Sequence, residues 1–275
     1  MKTLYKILLV VALGVGLVTI LYAMRDKPVK NGFNRGQIYS AQKLDALELK
    51  SNSWYINRLD STRIVLSNYK AVLAMFSCRY DLQDSLYQKI PYDEEPKKFF
   101  EIIRQIVVKK IEPSGNSFSA DGFMNINDHK ERIIYTYYYR NSFACLDVNL
   151  KVLYRAKMID TNSVAKIKLG EYQSGEQHIR TMAAPAKAVN KRGYSAEDWF
   201  YNHSALAADN EASSVFEKQE VLDVYRLDNG KYSHSIYLPK YPGRKLTDIA
   251  VHGNVLIALY EKVLVTYLLP ALKSE

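Results

Sequence analysis

CLDVNLKVLY (Cys145–Tyr154) and VLDVYRLDNGKY (Val221–Tyr232) repeat one pattern: an apolar strand-like run, a short polar turn, and a second run. Asp228-Asn229-Gly230 is a strong turn signal, because Asn and Gly tolerate the left-handed backbone that tight hairpin turns require. Working outward, each copy sits inside a longer meander. The copy at Cys145 is flanked by runs at Arg132–Tyr139, Ser142–Val148 and Lys151–Met158. The copy at Val221 is flanked by Asp198–Leu206 and Lys231–Leu238. An earlier unit reads Trp54–Leu59, Arg63–Tyr69, Val72–Tyr80 and Ser85–Ile90, and a truncated last unit reads Val255–Tyr260 and Val263–Leu268. Four-stranded units of about 40 to 50 residues are the size of propeller blades. The reading is all-β: β-propeller-like repeats of four-stranded meanders over residues 36–270. The last unit lacks an outer strand, and Gln37–Leu49 is available to supply it and so protect both edges of the ring.

The composition agrees. Of 275 residues 48% are hydrophobic and 24% charged, with 22 Tyr and only 12 Gly and 8 Pro, which excludes disorder, collagen and low-complexity linkers. Tyr135–Tyr139 with Arg140 could form a stacking platform for bases. The run lacks polar alternation, however, and therefore reads as a strand packed on both faces. The segment Pro96–Ile111 fits either an amphipathic helix through Phe99, Ile103, Ile106 and Val107 or a pair of strands. Thirty-eight Lys and Arg against 29 Asp and Glu give a net charge of +9. No five-residue basic run and no nucleic-acid motif accompany it, so a nucleic-acid partner is not expected.

Residues 1–24 contain an uncharged run, ILLVVALGVGLVTILYAM (Ile7–Met24), behind Lys2 and Lys6. It approaches the roughly 20 residues that span a bilayer and is read as an uncleaved transmembrane anchor. A signal peptide cut after Ala23 would need a small residue where Leu21 stands. Residues 25–35 form a tether. The expected location is a single-pass inner-membrane protein with its C-terminal domain in the periplasm, the alternative being secretion after cleavage.

LDALELKSNSWYI (Leu44–Ile56), IVLSNYKAVL (Ile64–Leu73), ERIIYTYYYRNSF (Glu131–Phe143), RTMAAPAKAVNK (Arg180–Lys191) and YNHSALAADNE (Tyr201–Glu211) together resemble a family of membrane-anchored β-propeller-like proteins of Bacteroidota, of TolB-like, six-bladed-propeller-like type. Its typical members are about one blade longer, where this chain has only Pro91–Ser117. No activity attaches to that family, so the resemblance implies fold and location.

Chemistry is sparse. The five histidines are scattered singly, and HExxH, nucleophile-elbow, Walker A and GxGxxG motifs are missing. Cys78 and Cys145 show no CxxC or ligand spacing, so no metal and no cofactor are expected, and the two are read as free buried thiols. The expected function is binding of a protein partner at the membrane or in the periplasm. The surface would be a face carrying the Met182–Arg192 loop and the loop around His203–Glu211, with Lys187, Lys191, Arg192, His203 and Asp209 as its residues. The alternative is an exported propeller-type hydrolase or lyase with its site in the central channel, where His203 could meet Asp209, or His252 could meet Asp248.

Overall fold

Alternation of inward and outward side chains makes both faces of each strand-rich unit apolar, so each sheet needs a neighbour on either side. The computed structural model, which describes residues 2–25, 30–68, 70, 74–89, 104–112, 118–175 and 177–270, meets that need with a four-bladed propeller. Blade I is β3 (Trp54–Leu59), β4 (Arg63–Asn68), β5 (Ala74–Arg79) and β6 (Leu86–Lys89). Blade II is β7 (Gly122–Asn127), β8 (Arg132–Tyr137), β9 (Ser142–Asp147) and β10 (Val152–Lys157). Blade III is β13 (Asn190–Ala196), β14 (Trp199–Ser204), β15 (Gln219–Arg226) and β16 (Tyr232–Pro239). Blade IV is β17 (Leu246–His252), β18 (Val255–Tyr260) and β19 (Val263–Leu268). The first strand of each blade is innermost. β13 packs against β7 on one side and β17 on the other, and β17 packs against β3.

The N-terminal segment supplies the missing strand, as expected, but divides its work. β2 (Gln42–Glu48) pairs antiparallel with β19, setting Leu47 opposite Leu264 and Ala46 opposite Val265. β1 (Gln37–Ser40) instead runs parallel to β16, adding a fifth strand to blade III. Blade IV shows why closure is needed. On β18, Leu256, Ala258 and Tyr260 face blade III while Ile257 and Leu259 face blade I, so both faces are core.

The inner strands β7, β13 and β17 were not part of the meanders read from the sequence, whereas the other strands match closely. Leu82, Leu150 and Gly230 occupy the same turn between third and fourth strands, at φ 59°, 62° and 69°, so the units repeat in backbone conformation as well as in pattern. At Gly230 a side chain has no room: an added Cβ would lie 2.4 Å from the Ala156 Cβ of blade II. Tyr135 and Tyr137 are buried, the packed-strand reading of that run. Cys78 and Cys145 are free and buried in different blades.

The resemblance implied a six-bladed type shortened here by about one blade; the ring has four. Residues 104–111 form a helix, α2, whose Val107 and Ile111 cover the face of blade II built from Ile133, Tyr135, Tyr137 and Leu146. A helix therefore stands on this face of blade II. Residues 96–103 of the segment read as helix or strands lie outside the described residues. Strands β11 (Leu169–Ser174) and β12 (Gln177–Met182) form a separate hairpin rather than a blade. Ser213–Phe216 make a single turn, α3. Ahead of the ring, α1 (Lys2–Arg25) is 24 residues long. Among the described residues no helix is long and apolar enough to cross a membrane, the side chains of α1 being described without interruption only from Val10 to Ile20.

Candidate functional site

Blade III places charged groups on two opposite faces. Arg192 of β13, His203 of β14 and Leu222 of β15 are register partners, so their side chains share the face toward blade IV. Glu220, two residues before Leu222, shares that face. A register shift between Asn190 and Arg192 frees Lys191 from strict alternation, and its Nζ lies 3.3 Å from His203 Nε2 and 3.7 Å from Glu220 Oε2. His203 Nε2 is 2.8 Å from the same Glu220 oxygen.

Burial decides the protonation states. His203 is 2% and Glu220 5% exposed. Desolvation, reinforced by the Lys191 and Arg192 charges, outweighs the Glu220 hydrogen bond and drives the imidazole down to about 4, so it is neutral at pH 7. Burial also opposes ionisation of Glu220, but the His203 hydrogen bond and the Lys191 and Lys240 charges overcome it and hold the carboxyl below its usual value. A carboxylate only accepts, so His203 Nε2–H donates to it. Nδ1 is left as a buried acceptor without a partner among the described residues. Burial lowers both Lys191 and Arg192, against the pull of Glu220 and Asp248 respectively. Arg192 Nε, also buried, has no hydrogen-bond partner among the described residues. Asp248, raised by burial, accepts from the backbone N–H of Ile56 at 2.8 Å and of Ile249 at 3.0 Å. The result is a pair of cations on the innermost strand, Lys191 beside Glu220 and the neutral His203 imidazole, and Arg192 within the field of Asp248.

The five residues expected from the sequence therefore fall into two places. Lys191, Arg192 and His203 come together. Both Arg192 and His203 lie in strands rather than loops, and His203 meets Glu220, not Asp209. Lys187 and Asp209 grip the chain's own tether: Lys187 Nζ donates to Asn31 Oδ1 at 3.0 Å, and Asp209 accepts from the N–H groups of Asn31 at 2.7 Å and Gly32 at 3.1 Å. His252 stacks on Tyr80 with ring centroids 4.9 Å apart and does not join Asp248. His129 and His178 are exposed singly. His234 is buried beside Tyr39 and Trp199. Glu220 was missed: its strand also carries Asp223 and Arg226, so no local signal singles it out as the partner of His203.

A second missed group lies on the face toward blade II. Arg35, 2% exposed, donates from Nε to Asp223 Oδ1 at 2.8 Å and from Nη2 to Asp223 Oδ2 at 3.1 Å, a bidentate pair. It also bonds Glu211 through Nη1 and the Leu206 carbonyl at 3.0 Å. Ser235 donates to Asp223 at 2.6 Å and Tyr237 donates to Glu211. This network locks the tether to blade III. A depression of about 340 Å³ lies apart from both groups, between α2 and Asp121. Among the described residues no three His, Cys, Asp or Glu side chains gather as a metal-binding set.

No known family profile matches the chain, and no curated protein does. Solved structures with a similar fold include BamB from Moraxella catarrhalis (9% identical, TM-score 0.24, covering 80% of this chain). Others are a virginiamycin B lyase from Staphylococcus aureus (10%, 0.32, 82% of this chain and 99% of that one) and the WD40 β-propeller domain of Doa1 (8%, 0.28, 82% and 96%). This chain spans 58% of the BamB chain. These are likenesses of fold alone.

Proposed function

We propose that this chain is a membrane-anchored, extracytoplasmic propeller that binds an acidic protein segment across Lys191 and Arg192, without a cofactor. The observation that carries it is the pair of cations on the innermost strand, Lys191 exposed and Arg192 half-buried, which can meet a carboxylate with charge-assisted hydrogen bonds. The network beneath fixes their geometry. The test is capture of partners from the native membrane. Lys191→Ala/Arg192→Ala should lower capture at least about tenfold, one lost charged contact being worth roughly 1.4 kcal/mol or more, and raising salt should weaken the wild type. Lys187→Ala, which touches only the tether, should capture normally. Equal capture by the double variant removes this surface.

The anchor rests on α1. Val10, Leu13, Leu17 and Ile20 on one side and Val11, Val15 and Val18 on the other are all exposed, so the helix is apolar all round rather than amphipathic. Such a helix is suited to lipid rather than to docking by one face. The resemblance to membrane-anchored propellers of Bacteroidota points the same way. N-terminal sequencing of the mature protein checks it, since a chain beginning near Met24 would mean export with cleavage.

The Lys191, His203 and Glu220 cluster favours a second reading, an exported hydrolase or lyase. Neutral His203, oriented by Glu220 and with Nδ1 free, could accept a proton. Turnover abolished by His203→Ala, with the fold intact, would establish it.

A further inference from the structure

The hairpin β11–β12 belongs to no blade, and the chain on both sides of it holds the tether. Before it, Thr161 Oγ1 donates to the Asn31 carbonyl at 2.7 Å. After it, Lys187 Nζ reaches Asn31 Oδ1 at 3.0 Å. Its base is closed by the Ala183 N–H on the Lys168 carbonyl at 2.8 Å. The six Cα steps from Arg25, the end of α1, to Asn31 span at most about 21 Å. A six-residue hairpin strand is about 20 Å long. The segments leading into and out of the hairpin thus both hold Asn31 of the tether, and the hairpin strand is about as long as the chain between Arg25 and Asn31 can reach.

Register divides its faces. Leu169, Glu171, Gln173, His178, Arg180 and Met182 share one, where Arg180 pairs with Glu171 at 2.7 Å. Gly170, Tyr172, Ile179 and Thr181 share the other, which carries no charge. Tyr172 is 54% exposed there, and Val164 ahead of the hairpin is 69% exposed. Lys166 and Lys168 flank the base, both exposed and without an ion-pair partner among the described residues. An uncharged face bearing a tyrosine, bordered by lysines without an ion-pair partner among the described residues and flanked by segments that hold the tether, matches the amphipathic layer of a bilayer surface.

We infer that the β11–β12 hairpin lies on the anionic phospholipid surface into which α1 inserts, its Tyr172 face at the headgroup level and Lys166 and Lys168 against lipid phosphates, setting the ring's orientation above the membrane. This rests on the anchor reading. The test uses the full chain reconstituted in phosphatidylglycerol–phosphatidylethanolamine nanodiscs, with a nitroxide on Tyr172→Cys and, as control, on Leu153→Cys of blade II. The native cysteines, being buried, do not label.

The label at 172 should show oxygen and nickel-chelate accessibilities of the interface, and the label at 153 those of water. Adding Lys166→Glu/Lys168→Glu should move 172 into water. Aqueous values at 172 in a chain that has inserted overturn the inference and leave the anchor standing. Inaccessibility to both reagents overturns it in favour of a protein contact. A chain that does not incorporate refutes the anchor and this inference with it.

Discussion

Replacing Arg35 with methionine removes the single cation from a network of two buried carboxylates. Asp223 is 2% exposed and the Glu211 side chain 4% exposed, so neither can regain the water it gave up on folding. The methionine fills the space of the side-chain stem and leaves both anions uncompensated. Breaking a buried ion pair in this way costs about 3–5 kcal/mol, much more than the pair's net contribution against an apolar replacement. For a chain of this size each kcal/mol moves Tm by roughly 2–4 °C. Thermal unfolding followed by circular dichroism should therefore fall by about 6–20 °C in Arg35→Met. Neutralising the stranded anions should recover much of it, so Arg35→Met/Asp223→Asn/Glu211→Gln should melt well above the single variant. A loss under about 2 °C, or a triple variant no better than the single, would show that the tether is not held by this network.

Stability should also fall in mild acid. His203 and His234 are both driven to about 4 by burial; unfolded, they bind protons from about pH 6.5. The unfolded state therefore takes up more protons as pH drops, and urea unfolding should show a loss of about 2 kcal/mol per histidine by pH 5, continuing toward pH 4. His203→Gln/His234→Gln should flatten that slope, and a flat wild-type profile between pH 6.5 and 5 would refute the assignment. Gly230→Ala, strained at φ 69° and 2.4 Å from Ala156, should cost more than about 2 kcal/mol, whereas Gly253→Ala, at φ 55° in open space, should cost only about 1; equal costs would mean the inter-blade contact is not tight. Deleting residues 37–49 should lower Tm for the whole ring in one transition, because β19 loses its partner; an unchanged Tm would disprove closure by β2.

The meanders were legible because their strands are packed on both faces and their turns recur. CLDVNLKVLY and VLDVYRLDNGKY are β9 with the start of β10, and β15 with the start of β16, at equivalent places in two blades. The innermost strands were not legible for the opposite reason. β7 and β13 line the centre, where Asn125, Arg192, Gly193 and Tyr194 mix polar and apolar residues and break the alternation that marks a strand. The start of β13, Asn190–Arg192, consequently reads as the end of the Met182–Arg192 loop, and the rest of the strand goes unread. Of the site, the cationic residues could be picked from charge alone. Their partners could not, because Glu220 lies 17 residues from His203, and Arg35 lies 188 from Asp223. Such pairings are set by blade register and by where the tether returns, which no local window contains.

Blade III explains why the tether and the candidate site sit together without interfering. Strand β15 alternates, so Glu220 and Leu222 face blade IV while Asp223 faces blade II, with Tyr225 at the same parity. One strand thereby presents a carboxylate to each side. On one side Asp223 is matched by Arg35, completely buried and bidentate, an arrangement suited to holding. On the other, Glu220 is matched by a neutral histidine and by a half-exposed lysine at 3.7 Å, an arrangement that leaves cationic capacity outward. The electrostatics differ because the burial differs. A buried guanidinium between two carboxylates has nothing left to offer a ligand, whereas Lys191, facing Glu220, keeps its ammonium at the surface, and Arg192, facing Asp248, is only half-buried. An acidic segment at Lys191 would thus engage a cation that still reaches the surface, while the clasp three residues along the same strand stays closed.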